Sequence, residues 1–393
     1  MARELINRRI GLALSGGGVR AAAFHAGVLK WFAEKGLLEK VEHVSSVSGG
    51  SLFVGLVFQM SEYRWPTSAQ YLDHVLPNIR SLLTSKSLQF SALCRLLLNP
   101  LNWRFFFSRA NVLAQSIESL WNITATLDQL PQRPVWSING TTAENGRRFR
   151  FKGGKIGDYE IGYADAKKFK LAASMAVSAA FPGGIGPLKL DTRSYQWFKR
   201  ESWNSKESAA IVTPKFKLLH LYDGGIYDNL GIEPLFDVGQ QIAKSDSNTP
   251  VNFLVISDAG APYRRGAIPG PLNPVRIKRV MDVAFDQVRA LRVRSFVNFL
   301  QRNPAEGMYL QIGSNPIACI ERYARHDKVK AFKKAHDWLS TKEISAAGAY
   351  KTTLSRMRKG DFDLLAKHGH ETVLWNEFVF LSTAEVKSEL TQL

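Results

Sequence analysis

Three short stretches hold residue types that could do chemistry together. In "SGGGVR", residues 15–20, Gly16, Gly17 and Gly18 precede Arg20 and an apolar, helix-forming run. Glycines reach backbone conformations closed to other residues, so several amides can aim at one spot beside a helix N-terminus, where negative charge is stabilised. Such a loop suits a phosphate or a developing oxyanion. Neither Gly-Lys-Ser/Thr nor Gly-x-Gly-x-x-Gly follows, which argues against the common phosphate loops and leaves an oxyanion loop or a plain tight turn. In "SSVSGGS", residues 45–51, a sharp strand-to-helix turn displaying Ser48 would need small residues two positions before and after it. Gly50 meets that need beside Gly49, whereas Ser46 is small but carries a side chain. Ser48 is thus a nucleophile favoured by the helix dipole or an ordinary N-cap.

The third stretch is "YDGGIYDN", residues 222–229, where Asp223 closes a strand ahead of two glycines. A carboxylate at the carboxyl edge of an open sheet can deprotonate a serine if its surroundings raise its basicity. Asp258 in "SDAG" is the rival acid at another strand end. Asp228 and Asn229 read as caps of a helix expected over "LGIEPLF". A Ser-His-Asp triad would take its histidine from after the acid, which leaves His326, His336, His368 and His370. None lies in a glycine-punctuated strand-end loop. A serine–aspartate pair without histidine is the economical reading.

The elements that must position these residues follow from hydrophobic periodicity. "RIGLALS" and "VEHVSSV" read as strands, each followed by a helix, and Phe24, Val28, Trp31 and Phe32 recur at helical spacing before Gly36. Strand–helix alternation of this kind predicts a parallel sheet covered on both faces. Residues 60–130 are expected to be largely helical with a break at Pro100. Strands are expected at "PVWSING", "RRFRFKG", "KFKLLHLYDGG", "VNFLVISDAG" and "GMYLQIGS". Helices are expected at "YADAKKFKLAASMAVSAAF", ending at "PGG", at "RIKRVMDVAFDQVRALRVRSFVNFLQR", and through most of the tail. Residues around 190–210 read as a polar, Trp-containing connection. No Pro/Gly/Ser-rich linker divides the chain, so one elaborated domain is favoured.

Composition sets the outer limits. The chain has 393 residues, 52 Lys and Arg against 34 Asp and Glu, and a net charge of +18, which suits polyanionic partners, anionic membrane and nucleic acid alike. Its 2 cysteines, Cys94 and Cys319, have no metal-ligand spacing and suggest no disulfide framework. No apolar run reaches the roughly 18 residues of a membrane span. "RRIGLALSGGGVRAAAF" imitates a secretory signal, but Arg20, the triple glycine and Glu4 argue for a mature first strand.

"GGGVR", "SVSGG" and "DGG", in that order, resemble the patatin-like phospholipase family of bacterial type. "AASMAVSAAFPG", "DGGIYDNLGIEPLF", "ISDAGAP" and "QVRALRVR" are similar to it as well, so the likeness runs from about residue 9 to 300. It implies a three-layer α/β/α fold with a mainly parallel central sheet and helical insertions. By the same likeness residues 1–320 would form the catalytic domain, with 321–393 a mainly helical basic extension packed on it. The resemblance makes Gly16, Gly17, Gly18 and Arg20 an oxyanion loop, Ser48 the nucleophile on an elbow with Ser46, Gly49 and Gly50, and Asp223 its base. One departure is Ser46, which stands where the family has glycine.

The implied activity is a lipid acyl hydrolase, a phospholipase A or lysophospholipase acting through an acyl-enzyme with no metal or cofactor. Another carboxylesterase or thioesterase, or a non-catalytic basic membrane binder, is the alternative. The substrate would be phospholipid or lysophospholipid, and a nucleic-acid partner is disfavoured by the three ordered motifs. An activating ligand or protein partner is admitted, though no site for one can be named. "LLLNPLNWRFFFSR" supplies Trp103, Phe105, Phe106 and Phe107 between arginines. These residues suit a membrane interface, an acyl groove or a packed core. A cytoplasmic protein associated peripherally with membrane is the resulting expectation.

Overall fold

The computed structural model describes residues 5, 7–182, 184–200, 209–245, 250–263, 265–270, 273, 275–324 and 329–381. The elements run β1 (Ile10–Leu14), α1 (Gly18–Glu34), β2 (Val41–Ser46), α2 (Gly49–Met60), α3 (Leu76–Ser85), α4 (Leu88–Leu98), α5 (Ala110–Leu120), β3 (Val135–Thr142), β4 (Arg148–Lys152), β5 (Lys155–Asp158), β6 (Gly162–Asp165) and α6 (Leu171–Ser178). There follow β7 (Leu188–Asp191), β8 (Trp197–Lys199), β9 (Ala210–Val212), β10 (Leu218–Asp223), β11 (Phe253–Asp258), α7 (Val275–Arg302), β12 (Gly307–Gln311), α8 (Pro316–Tyr323), α9 (Thr341–Ala349) and α10 (Lys359–Asn376).

Among the described residues, twelve strands form one sheet in the order β12-β11-β1-β2-β3-β4-β5-β6-β8-β9, with β10 paired to β3 and to β7. The five strands from β12 to β3 are mutually parallel. Alternation along them divides the core into two layers. Leu12 and Leu14 of β1 and Val255 of β11 face the layer built with Phe24, Phe32 and Phe53. Ala13, Leu254 and Ile256 face the opposite one, built with Phe236, Phe296 and Phe299. Strands with both faces buried need the near-continuous apolar runs seen in "IGLAL" and "FLVISD". The fold is therefore α/β, with helices on both faces of a largely parallel central sheet.

On one face α1 is crossed closely by α10: a Cβ on Gly27 would lie 1.8 Å from the Ala366 carbonyl, and one on Gly369 would lie 2.1 Å from that of Phe24. Glycine at both positions lets the two backbones approach.

Three expectations fail locally. "YADAKKF" is not helical: Gly162–Asp165 is β6, paired with β5, and the helix begins only at Leu171. Gly157 and Gly162, at φ 139 and 108, turn the chain into that strand pair. No helix forms over "LGIEPLF" either, where Gly231 takes φ 68 and Pro234 cannot donate to a helical ladder. The stretch around 190–210 contains the short strands β8 and β9 rather than a plain connection.

Candidate active site

Strand pairing explains why Ser48 and Asp223 meet. Ile138 of β3 pairs with Ser46 on one side and Phe151 on the other, and Gly140 pairs with Asp223 and Phe149. Since β4 takes one edge throughout, β2 and β10 share the other edge and run head-on, their ends two β3 residues apart. The turn leaving β2 therefore faces the end of β10.

Ser48 occupies that turn at φ 50 and ψ −119, a region costly for a residue with a side chain. Several bonds hold it there. Its N–H donates to the Ser178 carbonyl at 3.1 Å and to Ser178 Oγ at 3.0 Å, and α2 starts immediately afterwards. Ser48 makes no side-chain cap bond to α2, so its hydroxyl is not spent as an N-cap. Gly49 and Gly50 are demanded by contact: a Cβ on the first would lie 2.2 Å from the Gly18 carbonyl, and on the second 2.3 Å from that of Leu14.

The Asp223 carboxylate accepts the Gly225 N–H at 2.7 Å and has the Ser48 hydroxyl as its neighbour. Burial pushes its pKa up to about 7, against the lowering effect of the Gly225 N–H and the Ser48 hydroxyl. Among the described residues no cation pairs with it. A carboxylate in that state is poised to take a proton near neutral pH.

The glycine loop closes the third side. Gly17 and Gly18 have φ 148 and 62, and a Cβ on Gly18 would lie 2.4 Å from the Thr353 carbonyl. The Gly16 N–H is bound to the Asn229 carbonyl at 3.0 Å and the Val19 N–H to that of Thr353 at 2.9 Å. Among the described residues the N–H groups of Gly17, Gly18 and Gly49 meet no acceptor, which leaves them available to an anion. Arg20 is buried, with Nε donating to the Ala259 carbonyl at 3.1 Å and Nη1 to that of Tyr350 at 2.6 Å, and so ties the loop to two other segments.

The rival groups lie elsewhere. Asp258 is buried but pairs with Arg289 at 2.6 Å and accepts the Tyr309 hydroxyl at 2.6 Å. Asp228 accepts the N–H groups of Leu230 and Glu233 and bridges to Arg292 at 3.4 Å. His368 is buried against Phe24 and accepts the Gly313 N–H, His336 meets the Trp338 ring edge-on, and His370 bonds Glu34. His326 lies outside the described residues. His25, buried between Ser257 and the Ser15 carbonyl, has its pKa lowered to about 4 by burial.

Ser178, Asn139 and Thr353 are the site's supports that motif reading passes over, and Asn229, read there as a cap, is a fourth. Each contributes through a contact made by residues far apart in sequence. The only local sign is the small-residue run "AASMAVSAAF", whose last serine turns toward Ser48.

Trp103, Phe106 and Phe107 are 61%, 55% and 81% exposed, and Phe105 is half-buried under the Arg104 guanidinium. A packed core is excluded for the three exposed rings. Asn102, buried below them, bonds Gln115 and the Arg95 carbonyl and fixes the turn that turns the rings outward. Among the described residues no helix is long and apolar enough to cross a membrane, and no group of His, Cys, Asp and Glu is arranged to hold a metal ion.

The profile of the patatin-like phospholipase family matches residues 12–236, a span containing all three motifs. In fold the chain is similar to human GIVD cytosolic phospholipase A2, with a TM-score of 0.51 and 13% identity over 95% of this chain and 59% of that one. The same human protein in complex with methyl gamma-linolenyl fluorophosphonate gives a TM-score of 0.51 at 12% identity, covering 98% and 60%. The chain thus spans about three-fifths of the length of these solved chains. No curated protein sequence matches it. With the family profile covering more than half of its length, the chain belongs to the patatin-like phospholipase family.

Proposed function

We propose that this protein hydrolyses acyl esters of membrane phospholipids or lysophospholipids with Ser48 as nucleophile and Asp223 as its base. The observation that carries this reading is the head-on meeting of β2 and β10, which sets the strained Ser48 turn against a buried Asp223 whose pKa is pushed up to about 7. Asp223 takes the Ser48 proton as Oγ attacks the ester carbonyl. The tetrahedral oxyanion is held by the amides of Gly17, Gly18 and Gly49. Collapse expels the alcohol, which takes the proton from Asp223 and leaves an acyl ester on Ser48. Water, deprotonated by Asp223, then attacks that ester, and Ser48 recovers its proton as the fatty acid departs. Loss of one oxyanion donor is worth roughly 3–4 kcal/mol of barrier.

Substrate class is supported by the family and by the rim of the site. Phe90, Leu93, Leu97 and Leu98 of α4 are exposed, and with Leu101, Trp103, Phe106 and Phe107 they form an apolar stretch carrying Arg95, Arg104 and Arg109. That stretch is tied to the site at both ends. Gln89 bonds Thr353, whose backbone lies against Gly18, and Phe107 adjoins Gly186 on the segment leading back to Ser178. Rings at headgroup depth with arginines on anionic lipid would bring the mouth of the site to its substrate, as a peripheral membrane enzyme requires. The test is fatty-acid release from phosphatidylcholine/phosphatidylglycerol vesicles by wild type, Ser48→Ala and Asp223→Ala. Activity lost in both variants supports the pair. Activity retained in either overturns it, and release from soluble esters or thioesters alone points to a non-phospholipid substrate.

A further inference from the structure

Ser46 departs from the glycine that the family carries two positions before the nucleophile, and its backbone is not among the positive-φ positions that call for glycine. Its side chain is fully buried and engaged. The Trp136 indole N–H donates to Ser46 Oγ at 2.8 Å, Ser46 Oγ lies 2.8 Å from Ser51 Oγ, and Ser51 Oγ lies 2.8 Å from Ser178 Oγ. Ser178 Oγ in turn reaches the Asn139 carbonyl at 2.7 Å and receives the Ser48 N–H at 3.0 Å.

Counting protons fixes the direction of this chain. A serine hydroxyl has one proton, a carbonyl oxygen only accepts, and an indole N–H only donates. Ser178 must give its proton to Asn139, so Ser51 must donate to Ser178, and Ser46 must donate to Ser51. The oxygen of Ser178 is then filled by two incoming donors, Ser51 O–H and Ser48 N–H. Phe58, stacked on Trp136 at 5.3 Å, holds the indole that starts the chain. Buried chains of this kind are worth most when every member is satisfied, and lose most when one is removed.

We infer that Ser46 is a positioning residue: acting through Ser51 and Ser178, it holds the N–H of Ser48 and with it the strained turn that carries the nucleophile. The inference rests on Ser48 being the nucleophile. Its consequence runs against the motif. Restoring glycine at position 46 leaves the Trp136 N–H without an acceptor and Ser51 without an incoming donor, and the enzyme becomes slower.

The test measures kcat and KM on a soluble p-nitrophenyl ester, together with thermal stability, for Ser46→Gly, Ser178→Ala and the double variant. Ser46→Gly is expected to lower kcat roughly ten-fold at unchanged KM, and Ser178→Ala by up to roughly a hundred-fold, the scale of a small misplacement of a reacting group. The double variant should match Ser178→Ala alone, because both act through one chain. Wild-type kcat in Ser46→Gly, or losses that multiply in the double variant, would overturn the inference. Should Ser46→Gly fail to fold, Ser51→Ala interrupts the same chain at its middle and must show the same loss of kcat. Ser48→Ala separates the two claims: if it stays active the nucleophile is wrong, whereas an inactive Ser48→Ala beside a fully active Ser46→Gly removes only the role of Ser46.

Discussion

Asp223 and Asp258 are both buried aspartates that close a strand, β10 running head-on into β2 and β11 running parallel to it, and each is followed by a glycine within two residues. They differ in what burial has been allowed to do. Asp258 has a guanidinium and a phenol against it, Arg289 and Tyr309, both at 2.6 Å. Among the described residues Asp223 has the Gly225 N–H and the Ser48 hydroxyl beside it and no cation, and burial raises its pKa to about 7. A carboxylate with a buried cation beside it is a structural tie, while one left with hydroxyl and amide partners is poised to exchange a proton.

The sharpest way to break this contrast is to make the same change at both sites. Asp223→Asn should lower kcat on a soluble ester by roughly 10⁴-fold, the scale seen when a serine loses its activating partner, with the fold retained. Asp258→Asn should act on stability, since Arg289 would be left buried without its counter-charge, at a cost of about 3–5 kcal/mol in denaturant unfolding. If Asp258→Asn proved the stable but inactive variant, the two assignments would be exchanged.

pH gives the next discrimination. On the proposed mechanism Asp223 works as a base only when ionised, so kcat/KM should rise with pH and level off above about 7. Stability should run the other way. A carboxyl whose folded pKa is raised above its ordinary value contributes fully below about 4, and that contribution is lost as pH climbs through about 7. Asp223→Asn should therefore melt above wild type on the alkaline side, and thermal scans from pH 5 to 9 would reveal the crossing. The smallest effect belongs to the rim. Phe107→Ser forfeits about 1.5 kcal/mol of ring burial, so vesicle binding should weaken roughly ten-fold while hydrolysis of a soluble ester stays unchanged.

The parallel strands, the glycine loop and the family were legible because they rest on local demands: apolar runs buried on two faces, and glycines required by close backbone contacts. The head-on meeting of β2 and β10 was not legible, since it depends on two strands sharing one edge of β3. Ser178 and Thr353 were hidden for the same reason; each lies more than a hundred residues from Ser48 in sequence. The stretch "YADAKKF" misled because its residues form helices well, yet Gly157 and Gly162 deliver it to a strand partner. Ser46 looked like a defect in a motif until its buried hydroxyl was seen between Trp136 and Ser51.

The most direct measurement is peptide mapping after reaction with a lipid fluorophosphonate, for wild type and Asp223→Asn side by side. The account predicts a phosphonate adduct on Ser48 alone in the wild type and little or none in Asp223→Asn. An adduct on Ser45, Ser46, Ser51 or Ser178, or undiminished labelling without the Asp223 carboxylate, would contradict it.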